Sequence, residues 1–438
     1  VPLLPGTART VDDLVAAAQS AGSAPSVALG VVRDGALAHL AVAGDRPRPD
    51  GDTQYRIGSI TKTMTAVLVM RLRDAGRLDL DDPVQRHLPG SGVGSLTLRQ
   101  LLGHASGLNR EPDGPWWERA DGVDLDTLLA GVGAAKLGAR PYQAYHYSNL
   151  AYGLLGGVVE RLTGRRWADV LREEILAPLG MRRTTYAATE PYAAGYVVHP
   201  WHGTLREEPR TDTGAMAPAG QLWSTVADLG RWAAFLADPD PAVLAPETLT
   251  EMCAPVVISD LEAWTGGHGL GLELYRVGER VHVGHGGSMP GYVACLAVHR
   301  PSRTGVVGFA NSYGFRVGSI GELGLRVLTE VLDAEPAPAP VWAPTPGPVP
   351  DQVAGLTGDW WWMGQRMAVG WDGARGELLV QRPGDAPARF AAEGPDRWRG
   401  RDGDEVGELL TVARDAAGRP AALDVATCVH TRHPDDVP

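Results

Sequence analysis

The alternation of apolar and polar positions divides the chain into two structured stretches and a break. Residues 11–18 repeat apolar positions at helical spacing behind Thr10, with Asp12 and Asp13 placed for a first turn, which predicts a helix capped by Thr10. Two apolar runs, 26–32 and 36–42, flank Arg33-Asp34-Gly35, and an Asp-Gly pair between such runs predicts a hairpin. The run 63–72 is apolar almost all round, as a buried helix is, and Gly76 stands where such a helix should stop. Shorter helices are expected over 96–102, over 150–162 ending at Gly164, over 166–176, and behind Ser224 as a cap. β-Forming residues return over 281–311, densest in 293–298 and 305–309, and a helix is expected over 320–332. Strands from both ends of this stretch must meet in one mostly antiparallel sheet with helices packed on it, an α/β (α+β) arrangement.

The composition then breaks. Residues 335–350 read EPAPAPVWAPTPGPVP, a semi-rigid Pro-rich linker. Beyond it, short apolar runs alternate with Gly, Asp and Pro turns, the pattern of a small antiparallel β-barrel, with Trp360, Trp361, Trp362, Trp371 and Trp398 available to fill it. The expected organisation is therefore a domain over 1–334, a linker over 335–350 and a barrel over 351–438.

Charge narrows the partners. A net charge of −12 argues against nucleic acid or an anionic membrane surface as ligand. No run of about 18 apolar residues suggests a transmembrane helix, and the first residues, Val1 to Gly6, have no basic and apolar signal pattern, so a cytoplasmic location is expected. Cys253, Cys295 and Cys428 are few, odd in number and far apart, so no disulfide framework, metal or cofactor is expected from them.

The chemistry gathers in three short strings. Ser59 and Lys62 stand at i and i+3 at the start of the buried run, so they share a face of the first turn. A serine capping a helix near a lysine is also an ordinary structural pattern. Lys62 and Lys136 are, however, the only lysines in a chain with 40 Lys+Arg residues. Arg serves nearly everywhere else as the surface cation, and Arg cannot act as a base whereas a buried Lys can. The second string is Tyr147-Ser148-Asn149, before the 150–162 helix, which reads equally as a tyrosine followed by a helix cap. The third is His285-Gly286-Gly287-Ser288, where two glycines let a backbone approach a ligand closely. No helix follows the Gly284 to Gly291 stretch, which sets aside a dinucleotide-binding loop.

Ser-x-x-Lys, Tyr-x-Asn and His-x-Gly, in this order and at these separations, resemble the serine penicillin-recognising family of class C β-lactamases, D,D-peptidases, D-aminopeptidases and esterases. The strings 101–108 (LLGHASGL), 178–181 (PLGM), 224–229 (STVADL) and 284–287 (GHGG) resemble family strings too. The resemblance covers about residues 10–333 and implies a β-lactamase/transpeptidase-like antiparallel sheet flanked by helices. It implies Ser59 as nucleophile, Lys62 as its base, Tyr147 as proton relay and Asn149 as holder of the substrate amide. His285 stands where β-lactamases carry Lys, which points away from β-lactamases and toward the peptidase, esterase and acyltransferase branches. The oxyanion hole would be the backbone N–H groups of Ser59 and Ser288, with Gly286 and Gly287 lining the substrate. His104 and Asp228 fall in strings that are structural in the family.

A lipocalin-like barrel behind such a domain resembles two groups: D-aminopeptidase-like hydrolases with appended barrels, and penicillin-binding-protein-type thioesterases that release and cyclise nonribosomal peptides. In the latter an arginine near the chain end binds the peptide's carboxylate side, and Arg432, closing an expected last strand over 423–431, is the matching residue. The resemblance thus implies macrocyclisation of a peptidyl thioester, with a carrier protein as possible partner. A D-stereospecific aminopeptidase or esterase is the alternative, and a non-catalytic binding protein on this fold is the remote one.

Overall fold

The computed structural model describes residues 1–313, 318–336 and 349–436. The chain divides into two compact units, Val1–Ala337 and Pro338–Pro438. Most of the linker expected over 335–350 lies outside the described residues.

The first unit is built on an eight-stranded antiparallel sheet whose strands come from both ends of the unit, as the sequence pattern requires. The hairpin Ser26–Arg33 and Ala36–Gly44 forms one edge. The strand Ser26–Arg33 pairs with Thr304–Ala310, which pairs with Tyr292–His299, which pairs with Arg280–Met289. Glu273–Val277, Gly266–His268 and Val257–Ile258 complete the other edge. Helices Pro5–Gly22 and Ile320–Ala334 share an apolar core on one face, through residues such as Val11, Val15, Val327 and Val331.

On the other face lies the larger core. Its centre is the helix Thr61–Asp74, in which Thr61 to Met70 and Leu72 are all buried. The helix Asn149–Thr163 is buried from Asn149 to Val159 and packs against it. A helix wrapped on all sides in this way offers a rigid mount for any residue at its N-terminus.

Several boundaries differ from the sequence reading for identifiable reasons. Thr10 is not a cap: the first helix starts at Pro5, whose fixed φ suits a first turn, and the Thr10 hydroxyl donates back to Gly6 O inside the helix. Ser224 does not cap the following helix. It lies in the short strand Trp223–Ser224, and Thr225 accepts the Asp228 N–H instead. Residues Arg172–Leu176, expected to continue a helix, form a π-helical turn. The run 63–72 does form a helix, but a 3-10 turn, Gly58–Ile60, precedes it and holds Ser59.

The second unit is a closed barrel of eight antiparallel strands, each paired with the next in sequence and the first with the last. Trp360, Trp398, Phe390, Leu378, Leu410 and Leu423 belong to its buried core. The single strand expected over 423–431 is two, Pro420–Val425 and Cys428–Thr431, joined where Ala426 and Thr427 both adopt positive φ, 51° and 74°. Among the described residues no helix is long and apolar enough to cross a membrane.

Candidate active site

The three strings meet at one cleft of about 530 Å³, lined among others by Ser59, Tyr147, Asn149, His285 and Ser288. Two glycines make the meeting possible. Gly58 has φ 52°, and a Cβ there would stand 2.5 Å from the backbone N and O of Ser288. A Cβ on Gly287 would stand 1.9 Å from Ile57 O. Any side chain at either position would push the serine turn off the strand Arg280–Met289. That strand pairs with Glu273–Val277 only as far as Gly284↔Glu273, so beyond Gly284 this side meets no further pairing from that neighbour. The backbone around Ser288 thus lies beside the serine turn, where the sequence reading expects an oxyanion hole with Ser59.

Lys62 Nζ lies 2.9 Å from Ser59 Oγ and donates at 2.6 Å to Ala219 O. Its side chain is wholly buried, against the rings of Tyr147 and Tyr152. Burial lowers its pKa from 10.5 to about 7, outweighing the opposing pull of Glu111, Glu118 and Glu273. A large neutral fraction therefore exists near neutrality. Burial also raises the Tyr147 pKa well above its ordinary value, although its hydrogen bond to Ser59 pulls the other way. The group is a neutral phenol with a proton to give. A hydroxyl, an amine poised between its two charge states and a phenol in mutual contact can pass one proton around a reacting serine.

Asn149 opens the helix behind Ser148, whose hydroxyl accepts the Ala151 N–H. The Asn149 amide donates to both Glu111 oxygens, at 2.9 and 3.1 Å, and its buried Oδ1 has no partner. The side chain is thus held by its amide nitrogen, and its carbonyl oxygen is left as an acceptor without a protein partner. Glu111 also accepts from Trp117 Nε1 at 2.7 Å, which fixes the tryptophan-bearing loop.

His285 is buried, and its Nδ1–H donates to Gly286 O at 2.5 Å. Burial pushes its pKa down to about 3, so the imidazole is neutral. The Gly286 N–H donates to Glu273, whose own pKa is raised by burial.

Glu111, Glu118 and Glu273 are absent from the sequence reading. Glu118 lines the cleft, and burial raises its pKa. Glu111 directly follows Gly107-Leu108-Asn109-Arg110, close behind the 101–108 string, and that adjacency was the available signal. His104, set aside as structural, is buried, accepts the Ser148 N–H at Nδ1 and lies with its ring centroid 4.4 Å from that of Tyr147.

Arg432 belongs to the second unit. Its guanidinium carbon lies 3.7 Å from the Trp360 ring centroid, and it donates to the carbonyls of Asp359, at 3.0 Å, and Gly355. Within the barrel, then, its donors are engaged by the barrel's own backbone.

Residues 11–329 match the family model described as Beta-lactamase, and residues 349–432 match a domain of unknown function, DUF7586. The chain belongs to the beta-lactamase family, and with relatives that include penicillin-binding proteins and an esterase it is a serine hydrolase of that family. Penicillin-binding protein 4 of Amycolatopsis lactamdurans is 30% identical over 362 residues, which is 76% of this chain and 92% of that protein. Other curated relatives are matched over about half their length, Beta-lactamase-like protein 2 of Dictyostelium discoideum over 51%. Among solved structures, a D-stereospecific amidohydrolase from Streptomyces sp. is 29% identical with a TM-score of 0.63, covering 75% of this chain and 98% of its own. SurE with D-Leu is 25% identical with a TM-score of 0.59, and the match covers 98% of this chain and all (100%) of that one.

Proposed function

We propose that this enzyme transfers the acyl group of a peptide bearing a D-residue at its reacting end through an ester on Ser59. The observation that carries this reading is the 2.9 Å contact between Ser59 Oγ and a wholly buried Lys62 whose pKa falls to about 7. Neutral Lys62 takes the Ser59 proton as Oγ attacks the carbonyl. The N–H groups of Ser59 and Ser288 receive the developing oxyanion. Tyr147 gives its proton to the leaving atom as the carbonyl re-forms, and the Lys62 ammonium returns a proton to Tyr147. Asn149 Oδ1 accepts an N–H of the acyl-side peptide. The preference for a D-residue is supported by likeness to the D-stereospecific amidohydrolase and to SurE, whose structure holds D-Leu.

For the acceptor, the sequence resemblance favours the peptide's own amine attacking a peptidyl thioester to give a macrocycle. Glu118 and Glu273, which line the cleft, suit an amine-bearing substrate by charge. A second reading, hydrolysis by water, is favoured by the amidohydrolase likeness, which spans the catalytic unit. Water at about 55 M loses to an amine only if the amine is positioned, which is worth an effective molarity of about 10⁵ M or more. The test incubates the full chain with a peptide thioester ending in a D-residue and with its L-epimer, then separates products by mass. A cyclic product from the D-epimer supports the first reading, and linear acid alone supports the second. Absence of any Ser59 ester with either epimer overturns both.

A further inference from the structure

Three histidines from distant parts of the chain converge behind Tyr147. His104 comes from the 101–108 string, His268 from the strand Gly266–His268, and His285 from the strand Arg280–Met289. All three are buried, and one ring nitrogen of each lies within 4.8 Å of the other two. The Nε2 atoms of all three are buried without a hydrogen-bond partner in the protein. Burying polar atoms without a hydrogen bond is unfavourable, so the cluster calls for a shared occupant.

The outer nitrogens decide what that occupant is. His268 Nδ1 lies 2.9 Å from Gly269 O and His285 Nδ1 lies 2.5 Å from Gly286 O. A carbonyl only accepts, so both rings carry their proton on Nδ1 and present a lone pair at Nε2. His104 is the reverse. Its Nδ1 lies 3.1 Å from the Ser148 backbone nitrogen, which only donates, so its proton is on Nε2. The cluster offers one N–H and two lone pairs. A metal ion would meet a proton at His104, whereas a water molecule accepts once and donates twice.

The spacing suits one small occupant, since a ring nitrogen of each histidine lies within 4.8 Å of the other two.

We infer that His104, His268 and His285 bind one water molecule as a fixed part of the site, accepting from His104 Nε2–H and donating to Nε2 of His268 and His285. The water ties three chain segments around Tyr147. His104 lies against that ring at a 34° tilt and holds the backbone N–H of the next residue, so the tie sets the direction of the phenol. It does so without a charge: burial pushes His268 to about 4 and His285 to about 3, and lowers His104 as well. His268 is in this sense a positioning residue.

The test has three arms on the full chain. Histidine-labelled protein observed by long-range ¹H–¹⁵N correlation NMR at pH 7 should give Nδ1–H tautomers for His268 and His285 and an Nε2–H tautomer for His104. A proton on His104 Nδ1 overturns the assignment. A high-resolution crystal structure, with data collected at the zinc edge after soaking in Zn²⁺, should place one oxygen about 2.8–3.0 Å from all three Nε2 atoms. An anomalous scatterer at about 2.1 Å overturns it. His268→Phe, which removes one acceptor, should lower kcat for Ser59 acylation about tenfold with KM within about twofold, and His268→Gln should recover most of the loss. An unchanged kcat in His268→Phe overturns the positioning role. These readouts do not depend on whether water or an amine takes the acyl group.

Discussion

The two units treat buried polar groups in opposite ways. In the catalytic unit they converge and stay partly unused: Asn149 Oδ1 and the Nε2 atoms of His104, His268 and His285 have no protein partner, and Lys62 is buried beside Ser59. In the barrel the largest buried side chains are Trp360, Trp398 and Phe390. The Arg432 guanidinium there is covered by an indole face and bonded to backbone carbonyls. Barrel atoms without a hydrogen-bond partner exist, Glu377 Oε2, Trp398 Nε1 and Asp424 Oδ1, but they lie on separate strands. Each unsatisfied buried polar atom costs about 1–3 kcal/mol. In the first unit several of these atoms gather at the cleft, where a substrate or a water can recover the cost, although others such as those of Arg56, Trp167 and His282 lie elsewhere; in the barrel they are scattered.

The largest expected effect tests the catalytic side. Ser59→Ala should abolish ester formation, read by intact-protein mass spectrometry with an activated ester. Lys62→Arg should be about as inactive as Lys62→Ala, each down about 10³-fold or more, because Arg stays charged. Wild-type acylation should rise about tenfold per pH unit below 7 and level off above it, since the neutral amine is the active form. The same group predicts a stability slope. Lys62 titrates at about 7 folded, against 10.5 without burial, so between those values the unfolded chain binds more protons. Unfolding free energy therefore gains with pH across that window. Lys62→Met removes this contribution, so wild type minus Lys62→Met, from urea midpoints, should increase from pH 7 to 10. A flat difference would mean Lys62 is not strongly perturbed.

What was legible in the sequence follows from the same contrast. Ser59, Lys62, Tyr147, Asn149 and His285 sit in short strings, and the fold brings four of them to one cleft with Lys62 buried against Ser59. The apolar sheet strands and the buried helix were legible because their runs are local in the chain. Glu111 and His268 were not. Glu111 reaches Asn149 across 38 residues, and His268 meets His104 only because the sheet edge folds over that loop. No local spacing encodes either contact. The turn at Ala426-Thr427 was missed because neither residue is a usual former of positive φ.

A smaller effect sharpens the contrast at Glu111. Both of its carboxylate oxygens accept from Asn149 Nδ2, which anchors the amide nitrogen and leaves Oδ1 without a protein partner. Glu111→Gln puts an NH₂ group against an NH₂ group, and Asn149 can relieve this by turning its own donors toward the substrate. KM should rise about tenfold, with kcat falling less, if Asn149 Oδ1 holds a substrate N–H in the ground state as well as in the transition state. Progress curves with a D-residue ester in the two proteins give both constants. An unchanged KM would free Asn149 from substrate binding.

The smallest effect compares two arginines within the barrel. Arg414 pairs with Asp396 at 2.6 Å on the surface, where such pairs are worth about 0–1 kcal/mol. Arg432 instead lies over Trp360 and donates to the carbonyls of Asp359 and Gly355. Arg432→Ala removes a stacked cation, worth about 0.5–2 kcal/mol, and leaves carbonyls that the charged donors had satisfied. It should therefore cost about 1–3 kcal/mol of barrel stability, read from tryptophan fluorescence during denaturation, and Arg414→Ala about 0.5 kcal/mol or less. The pair also separates structure from recognition. If Arg432 serves only the barrel frame, the ratio of cyclic to linear product from a peptide thioester should be the same in both variants at a temperature where both are folded. If it also binds the peptide, as the thioesterase resemblance implies, the linear fraction should rise in Arg432→Ala alone. Equal ratios with unequal stabilities would assign the arginine to the frame.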